Sequence, residues 1–371
     1  MGGSGQQKSI RKYIKAAASP SVVFFTLPWL MAILVMGTLA QKYLGLYEAQ
    51  KSFFSGWVLW LGPVPLPGSY LTIGAISLAL LAKFLLYSPW KKHQAGIIIT
   101  HLGVLVLLIG GIVTAVTQKE GFVMIGEGGT VSSVSDYYDR VLSIEKNDAP
   151  YATLDFSKIN EGGDLKDAAH LPFSAMITLK CDNCQPVMQE DVPKNARGFA
   201  TKVTLKKVPA EKTPEANLSG VIMSIEDISA EQDGLYVAVE EIPRFPTVTY
   251  HGDEYRFFMG RRQTPLPFSV TLDQFERTMH PGTDMARGFS SRLLVLDGDV
   301  EWPYTIRMNE PLRYKGYTFY QSSFTIRPDG EYTILSVVQN KGRVIPYVAS
   351  VLIFIGIALH LFLRLTKART A

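Results

Sequence analysis

Four apolar stretches punctuate an otherwise mixed sequence, at residues 21–40, 70–87, 95–116 and 344–363. Each comes close to the run of about 20 residues that a hydrocarbon core roughly 30 Å thick demands of a helix. The pattern predicts a membrane protein with four transmembrane α-helices. A shorter apolar piece, 53–67, lies between the first two and is broken by Pro63, Pro65 and Pro67. It is too short to cross, and Trp57 and Trp60 suit it to the outer membrane interface, where indole rings prefer to sit. An amphipathic platform facing a ligand is the sharper alternative for this loop.

Residues 117–343 have a different texture. Short alternating runs recur at 202–208, 221–225, 235–242, 268–272, 292–296, 304–308, 317–326 and 332–338. Turn signals stand between them, notably Asp297-Gly298 and Pro328-Asp329-Gly330, the latter joining two strands as a hairpin. The region is long enough to bury its own core, so an all-β sandwich or open barrel is expected. The stretch 148–170 is polar, lacks periodicity and reads as a long loop.

Charge sets the expected orientation. Cations precede the first span (Lys8, Arg11, Lys12, Lys15), separate the second from the third (Lys91, Lys92) and follow the fourth (Arg364, Lys367, Arg369). By the positive-inside rule these places are cytoplasmic. Residues 1–20 and 364–371 then form a cytoplasmic N-terminus and tail, 21–116 hold three spans with their interfacial loop, and 117–343 lie outside. The net charge of +4 works as an insertion signal. No basic stripe interleaved with aromatics points to nucleic acid. The first apolar run exceeds a secretory h-region and leads into Gln41 and Lys42, so it reads as a retained anchor.

The two cysteines are neighbours, Cys181 and Cys184, in the order Cys-Asp-Asn-Cys. Such a pair can be a local disulfide, a redox centre or half of a metal site. Covalent haem attachment would need His after the second cysteine, and position 185 is Gln. A thioredoxin-like centre would open a helix, whereas this pair ends a β-like run.

Of six histidines, His170, His251 and His280 fall beside turn residues of the outer domain and His93 in the cytoplasmic loop. His101 and His360 sit inside apolar spans, where an ionisable group is costly without a ligand, a charge partner or a proton path. His101 lies about 9 Å into its span from the cytoplasmic end, at 1.5 Å per residue. His360 is near the same side. Together they suit a proton relay, a transition-metal site or axial ligation of haem between helices; a hydrogen bond to a backbone carbonyl of the bundle is the plain alternative. Gly356, one turn before His360, would let a neighbouring helix or a flat ligand approach.

The third span, with His101-Leu102-Gly103 and Gly110-Gly111, the following Gly121-Phe122 and Gly126-Glu127-Gly128, and above all the stretch 308–324 (MNEPLRYKGYTFYQSSF), resemble the ResB (CcsB) family of System II cytochrome c biogenesis proteins. The layout of three spans, a β domain and one final span is similar over nearly the whole chain. The resemblance implies a subunit of a cytochrome c synthetase complex, not autonomous as an enzyme. With a multi-span ResC (CcsA) type partner it would carry haem b across the membrane and support thioether attachment to apocytochrome c. His101 matches the family's third-span haem ligand, whose iron would be shared with a histidine of the partner. The tryptophan-rich haem segment of the partner has no counterpart, since Trp29, Trp57, Trp60, Trp90 and Trp302 are scattered. The resemblance gives Cys181 and Cys184 no task. The implied home is the bacterial cytoplasmic membrane, because no transit peptide precedes the first span, with the β domain on the periplasmic face. There it would present the apocytochrome, by strand addition at an exposed sheet edge. Two other readings stay open: a non-catalytic scaffold, and a membrane-tethered thiol reductant built on Cys181 and Cys184.

Overall fold

The structure, a computed structural model, describes residues 16, 18–87, 91–283, 286–328 and 330–370. Lys8, Arg11, Lys12, Lys15, Trp90 and Asp329 of the sequence reading lie outside the described residues, as do the side chains of Lys367 and Arg369. The chain divides into two compact units, Met1–Lys119 with Gln339–Ala371, and Glu120–Val338.

The first unit holds α1 (Pro20–Leu44), α2 (Ser69–Tyr87), α3 (Ala95–Thr117) and α4 (Ile345–Thr370). Among the described residues, all four are long and apolar enough to cross a membrane. Their outer faces carry large exposed apolar side chains, among them Phe24, Phe25, Met31, Ile109, Ile112 and Phe354. Between α1 and α2 the apolar piece folds into a π-helical turn (Gln50–Phe54) and a hairpin of β1 (Val58–Leu61) and β2 (Val64–Pro67). The Trp29 indole N–H donates to Pro67 O at 2.9 Å, which ties the hairpin to α1, and the Ser69 hydroxyl donates to Phe53 O, which ties the π-helical turn to α2. Trp57 and Trp60 stay largely exposed.

The second unit is a β domain. In chain order its strands are β3 (Lys119–Gly126), β4 (Thr130–Lys146), β5 (Ala149–Asp155), β6 (Ser174–Cys181), β7 (Cys184–Met188), β8 (Val203–Lys207), β9 (Gly220–Glu226), β10 (Gly234–Val239), β11 (Thr247–Tyr250), β12 (Asp253–Met279), β13 (Ala286–Asp297), β14 (Val300–Arg307), β15 (Leu312–Tyr314), β16 (Tyr317–Arg327) and β17 (Gly330–Gln339). One sheet runs β14-β13-β12-β4-β3-β17-β16-β15, with β11 on β12 and β5 on β4; β10-β9-β6 and β7-β8 form smaller sheets. The two ends of the large sheet turn toward one another, because Arg307 and Glu310 exchange backbone hydrogen bonds and Trp302 packs on Tyr314. The result is an open barrel with a second module attached.

The long strands β4 and β12 build both modules. Tyr255–Arg261 pair with Arg140–Lys146, then the register slips and Gln263 faces Ser135. Before the slip, Leu142, Ile144, Phe257 and Met259 face a core with β6, β9 and β10. After it, Val270 and Leu272 join Leu293, Ile306, Phe319 and Leu335 inside the barrel. Burying one such Phe or Leu contributes on the order of 1.5–3 kcal/mol.

Two sequence expectations need correction. The eight alternating runs each overlap a strand, but β3, β4, β5, β7, β11 and β15 were not among them. The stretch 148–170 is also not a long loop: Asn147 and Asp148 take positive φ (51° and 63°), which closes a two-residue hairpin into β5. A short helix (Leu165–Ala169) follows, capped by Asp164.

Candidate functional site

The α3–α4 seam shows what His101 and His360 can reach. Glycines recur on α3 every seventh residue, Gly96, Gly103 and Gly110, so they share one face. A Cβ at Gly96 would fall on the backbone of His360; one at Gly103 would lie 2.9 Å from Ile353 N and 3.0 Å from Ala349 O; one at Gly110 would meet the side chain of Ile345. The two helices are therefore antiparallel and backbone to backbone, as small-residue faces permit in membranes. Gly356 contributes from the other side: its missing Cβ is filled by Thr100, so the approach it allows is that of a helix. At the other end, Asn340 bonds Thr114 (3.3 Å) and Gln118 (3.3 Å).

His101 is not in that seam. At about 100° per residue it stands about 160° around α3 from Gly103 and about 140° from Gly96. Its Nδ1 lies 2.8 Å from Ile97 O, one turn earlier. A carbonyl only accepts, so in the neutral ring Nδ1 carries the hydrogen and Nε2 keeps the lone pair. A backbone hydrogen bond of this kind fixes the tautomer and orientation of a ligating imidazole. His360 has the reverse environment: its backbone presses on Gly96 and its Nδ1 is buried without a hydrogen-bond partner. The structure thus sets the two histidines on different faces and does not bring them together as a pair. Among the described residues no three His, Cys, Asp or Glu side chains gather where they could hold a metal ion.

Cys181 and Cys184 are joined by a disulfide between the end of β6 and the start of β7, with Cα atoms 5.5 Å apart. Each is 3% exposed, packed among Ala196, Ala200, Leu205, Val237 and Val239. Thiol exchange needs access for an attacking thiolate, and this burial withholds it. His170 and His251 occupy exposed turn positions with φ of 52° and 49°, which fits the turn roles expected of them, and His280 precedes the β12–β13 turn.

The stretch 308–324 is a built element. Lys315 and Gly316, both at positive φ, turn β15 into β16, with Tyr314 facing Tyr317. Asp297 clamps the turn, accepting from Tyr314 Oη at 2.6 Å and pairing with Lys315 Nζ at 2.5 Å. Those bonds, Lys315 foremost, hold its carboxyl below the usual range. Inside the barrel Gln321 joins Ser291 (2.7 Å) and Thr333 (2.8 Å) in a buried polar network.

One buried constellation was not legible in the sequence. Arg140 and Arg261 face each other across β4 and β12 at the register slip, and Glu240, just after β10, pairs with both, at 3.3 and 2.9 Å. The terminal guanidinium nitrogens also donate, Arg140 to the carbonyls of Tyr138 and Asn217 and Arg261 to those of Tyr137 and Glu215. Arginines directly opposite would repel, and Glu240 offsets that. The available signal was the charged pair Glu240-Glu241 closing the apolar run of β10. Beside this triad, burial holds the Tyr137 phenol above its ordinary value, against a hydrogen bond with Ser336.

Residues 235–331, from β10 through β16, match the ResB-like family. That segment, about a quarter of the chain, is what resembles the family. Protein NrfI of Wolinella succinogenes is 35% identical over 104 residues, which are 28% of this chain and 11% of that protein. The chain thus spans about a tenth of the curated relative's length. The matched segment holds the triad's Glu240 and Arg261 and the clamped hairpin; His101 lies outside it.

Proposed function

We propose that this ResB-like chain is the haem-handling subunit of a cytochrome c biogenesis complex. The match of residues 235–331 to the ResB-like family supports a role in cytochrome c biogenesis; the finer reading is that the chain works with a ResC (CcsA) type partner. The two would take haem b across the bacterial cytoplasmic membrane and support its attachment to apocytochrome c. In this reading the four apolar helices span the membrane, both termini are cytoplasmic and the β domain is periplasmic.

The observation that carries the proposal is the His101 ring: Nδ1–H on Ile97 O, Nε2 unbonded on the apolar face turned away from α4. Haem pairs an apolar macrocycle with two propionates, so its passage needs an iron ligand within an apolar surface. A neutral imidazole locked to one tautomer supplies that ligand. His360 is the weaker candidate, because the seam surrounds it. Attachment adds each cysteine S–H across a haem vinyl C=C, forming one C–S and one C–H bond with no net oxidation. That step asks chiefly for alignment, which a two-protein complex provides.

The test is cytochrome c maturation in cells expressing the chain with its partner. His101→Ala should abolish covalent haem on c-type cytochromes while the chain accumulates normally. Full maturation in that variant would refute the haem-ligand assignment and favour the scaffold reading. Burial of the disulfide counts against the reductant reading.

A further inference from the structure

The segment between α1 and α2 folds back beside α1. A short helix, Leu46–Ala49, turns the chain after Leu44, and the π-helical turn Gln50–Phe54 follows it. A Cβ at Gly37 of α1 would fall on the Phe54 ring and lie 2.9 Å from Cβ of Phe53. Further in, Trp29 Nε1 donates to Pro67 O at 2.9 Å. At about 1.5 Å per residue, Gly37 lies about 10 Å and Trp29 about 22 Å from Leu44 along the helix. Both ends of the segment, Phe53 and Pro67, therefore rest beside α1 well inside its end. An interfacial loop, as the sequence suggests, would rest at the end itself.

Polarity fits that depth. No charged residue occurs from Ser52 through Ala82. The run exceeds the roughly 20 residues that one span uses, and the surplus is this segment. On the hairpin Trp57, Val58, Trp60, Leu61 and Val64 are exposed; α1, between the levels of Trp29 and Gly37, exposes Met31, Leu34 and Val35. One medium covers both, and along a span that medium is hydrocarbon.

Hydrocarbon does not tolerate bare backbone donors. The two-residue turn Gly62-Pro63, with Gly62 at φ 62°, makes Leu61–Val64 a hydrogen-bonded pair. Bonding then alternates to Leu59–Leu66 and Trp57–Gly68, and Gly68 N does donate to Trp57 O at 2.9 Å. In the intervening pairs, Trp60–Pro65 and Val58–Pro67, backbone groups point outward. Both outward positions of β2 are thus prolines, which have no N–H. The Pro67 carbonyl takes the Trp29 indole. On β1 the Val58 and Trp60 amides point outward, with no acceptor among the described residues.

We propose that residues 50–68 form a re-entrant membrane element whose ligand is phospholipid of the outer leaflet. Acyl chains cover Trp57, Trp60 and Val64, and lipid ester oxygens accept from the Val58 and Trp60 amides. The inference rests on the reading of α1 as a span with its C-terminal end outside, and is independent of the haem assignment.

The test places a nitroxide on Val64→Cys, Val35→Cys or Glu48→Cys of the full chain in phosphatidylcholine–phosphatidylglycerol vesicles, where the native cysteines stay in their buried disulfide. Electron paramagnetic resonance reads collisions with dissolved oxygen and with a water-soluble nickel chelate. At Val64 the chelate effect should be lost to the level seen at Val35, with oxygen colliding freely; Glu48, past the end of α1, should show the reverse. A chelate effect at Val64 equal to that at Glu48 would overturn the re-entrant placement. Loss of both collisions at Val64 would mean that protein covers the hairpin, and would overturn the lipid. Either result with Val35 in lipid leaves the span reading standing, whereas a strong chelate effect at Val35 would remove that reading and the inference with it. Val58→Pro, which deletes one amide donor, should lower the phospholipid retained in native mass spectra relative to Val58→Ala; equal retention would overturn the ester contact.

Discussion

The two faces of α3 differ in residue size and have opposite fates. One face, Gly96, Gly103 and Gly110, is closed against α4 so tightly that no Cβ fits. The other presents His101 with one ring nitrogen bonded inside its own helix and the other without a bond among the described residues. An apolar surface without a neighbour needs lipid or protein to cover it. The closed face is architecture, and the open face is left to lipid or to a further component. The β domain repeats the division. Its buried triad is charge-compensated by Glu240 between the two arginines, whereas β5 is paired on one side only.

The comparison can be broken first from the closed side. Glu240→Ala would leave Arg140 and Arg261 facing each other, buried and uncompensated. We expect a loss on the order of 3–5 kcal/mol, read as a fall in the unfolding temperature of the β domain. A change within experimental scatter would mean that the triad contributes nothing net. Gly103→Leu should cost about 1–3 kcal/mol by forcing α3 off α4, visible as a lower melting temperature in detergent. The same change at Gly111, which has open space around it, should be nearly silent. Equal effects at the two positions would dissolve the distinction between faces.

Smaller effects sharpen it. Replacing Cys181 and Cys184 together with Ala removes a staple that closes a very short loop. The loss should fall at or below the low end of the roughly 2–4 kcal/mol typical of disulfides, and cytochrome c maturation should persist without added reductant. A requirement for reductant would restore the thiol reading. The Asp297 clamp gives a pH signature. Its carboxyl is held below the usual range by Lys315 first and Tyr314 second, so its contribution is present above the unfolded carboxylate pKa and is lost as pH falls through the lower folded value. Lys315 is raised by the same contact, so its share is complete below its ordinary value and is lost as pH rises through the higher folded one. Asp297→Asn should flatten both limbs of a plot of melting temperature against pH; unchanged limbs would assign them to other groups.

How much was legible follows from range. The helices were readable because a span writes its signal in about 20 consecutive residues. His101 stood out for the same reason, as a lone ionisable group in such a run. Its distance from the α4 face needed the seam, which depends on residues far along the chain. β12 was only partly readable: Pro265 and Pro267 break its pattern, and the structure accommodates them where the register shifts between Pro265 and Val270. The triad left only the Glu240-Glu241 pair as a sign, since Arg140, Glu240 and Arg261 meet only after β4, β10 and β12 have folded. Cys181 and Cys184 left three readings open because spacing does not report burial.

The most direct test of the central claim is the visible spectrum of the detergent-solubilised chain purified with its membrane partner, for wild type and His101→Ala. We expect a six-coordinate Soret band in the wild type that is lost or shifted in the variant and recovered with added imidazole, without a change in melting temperature. Identical spectra from the two proteins, or two colourless proteins that still support cytochrome c maturation, would contradict the assignment of His101 as the haem ligand.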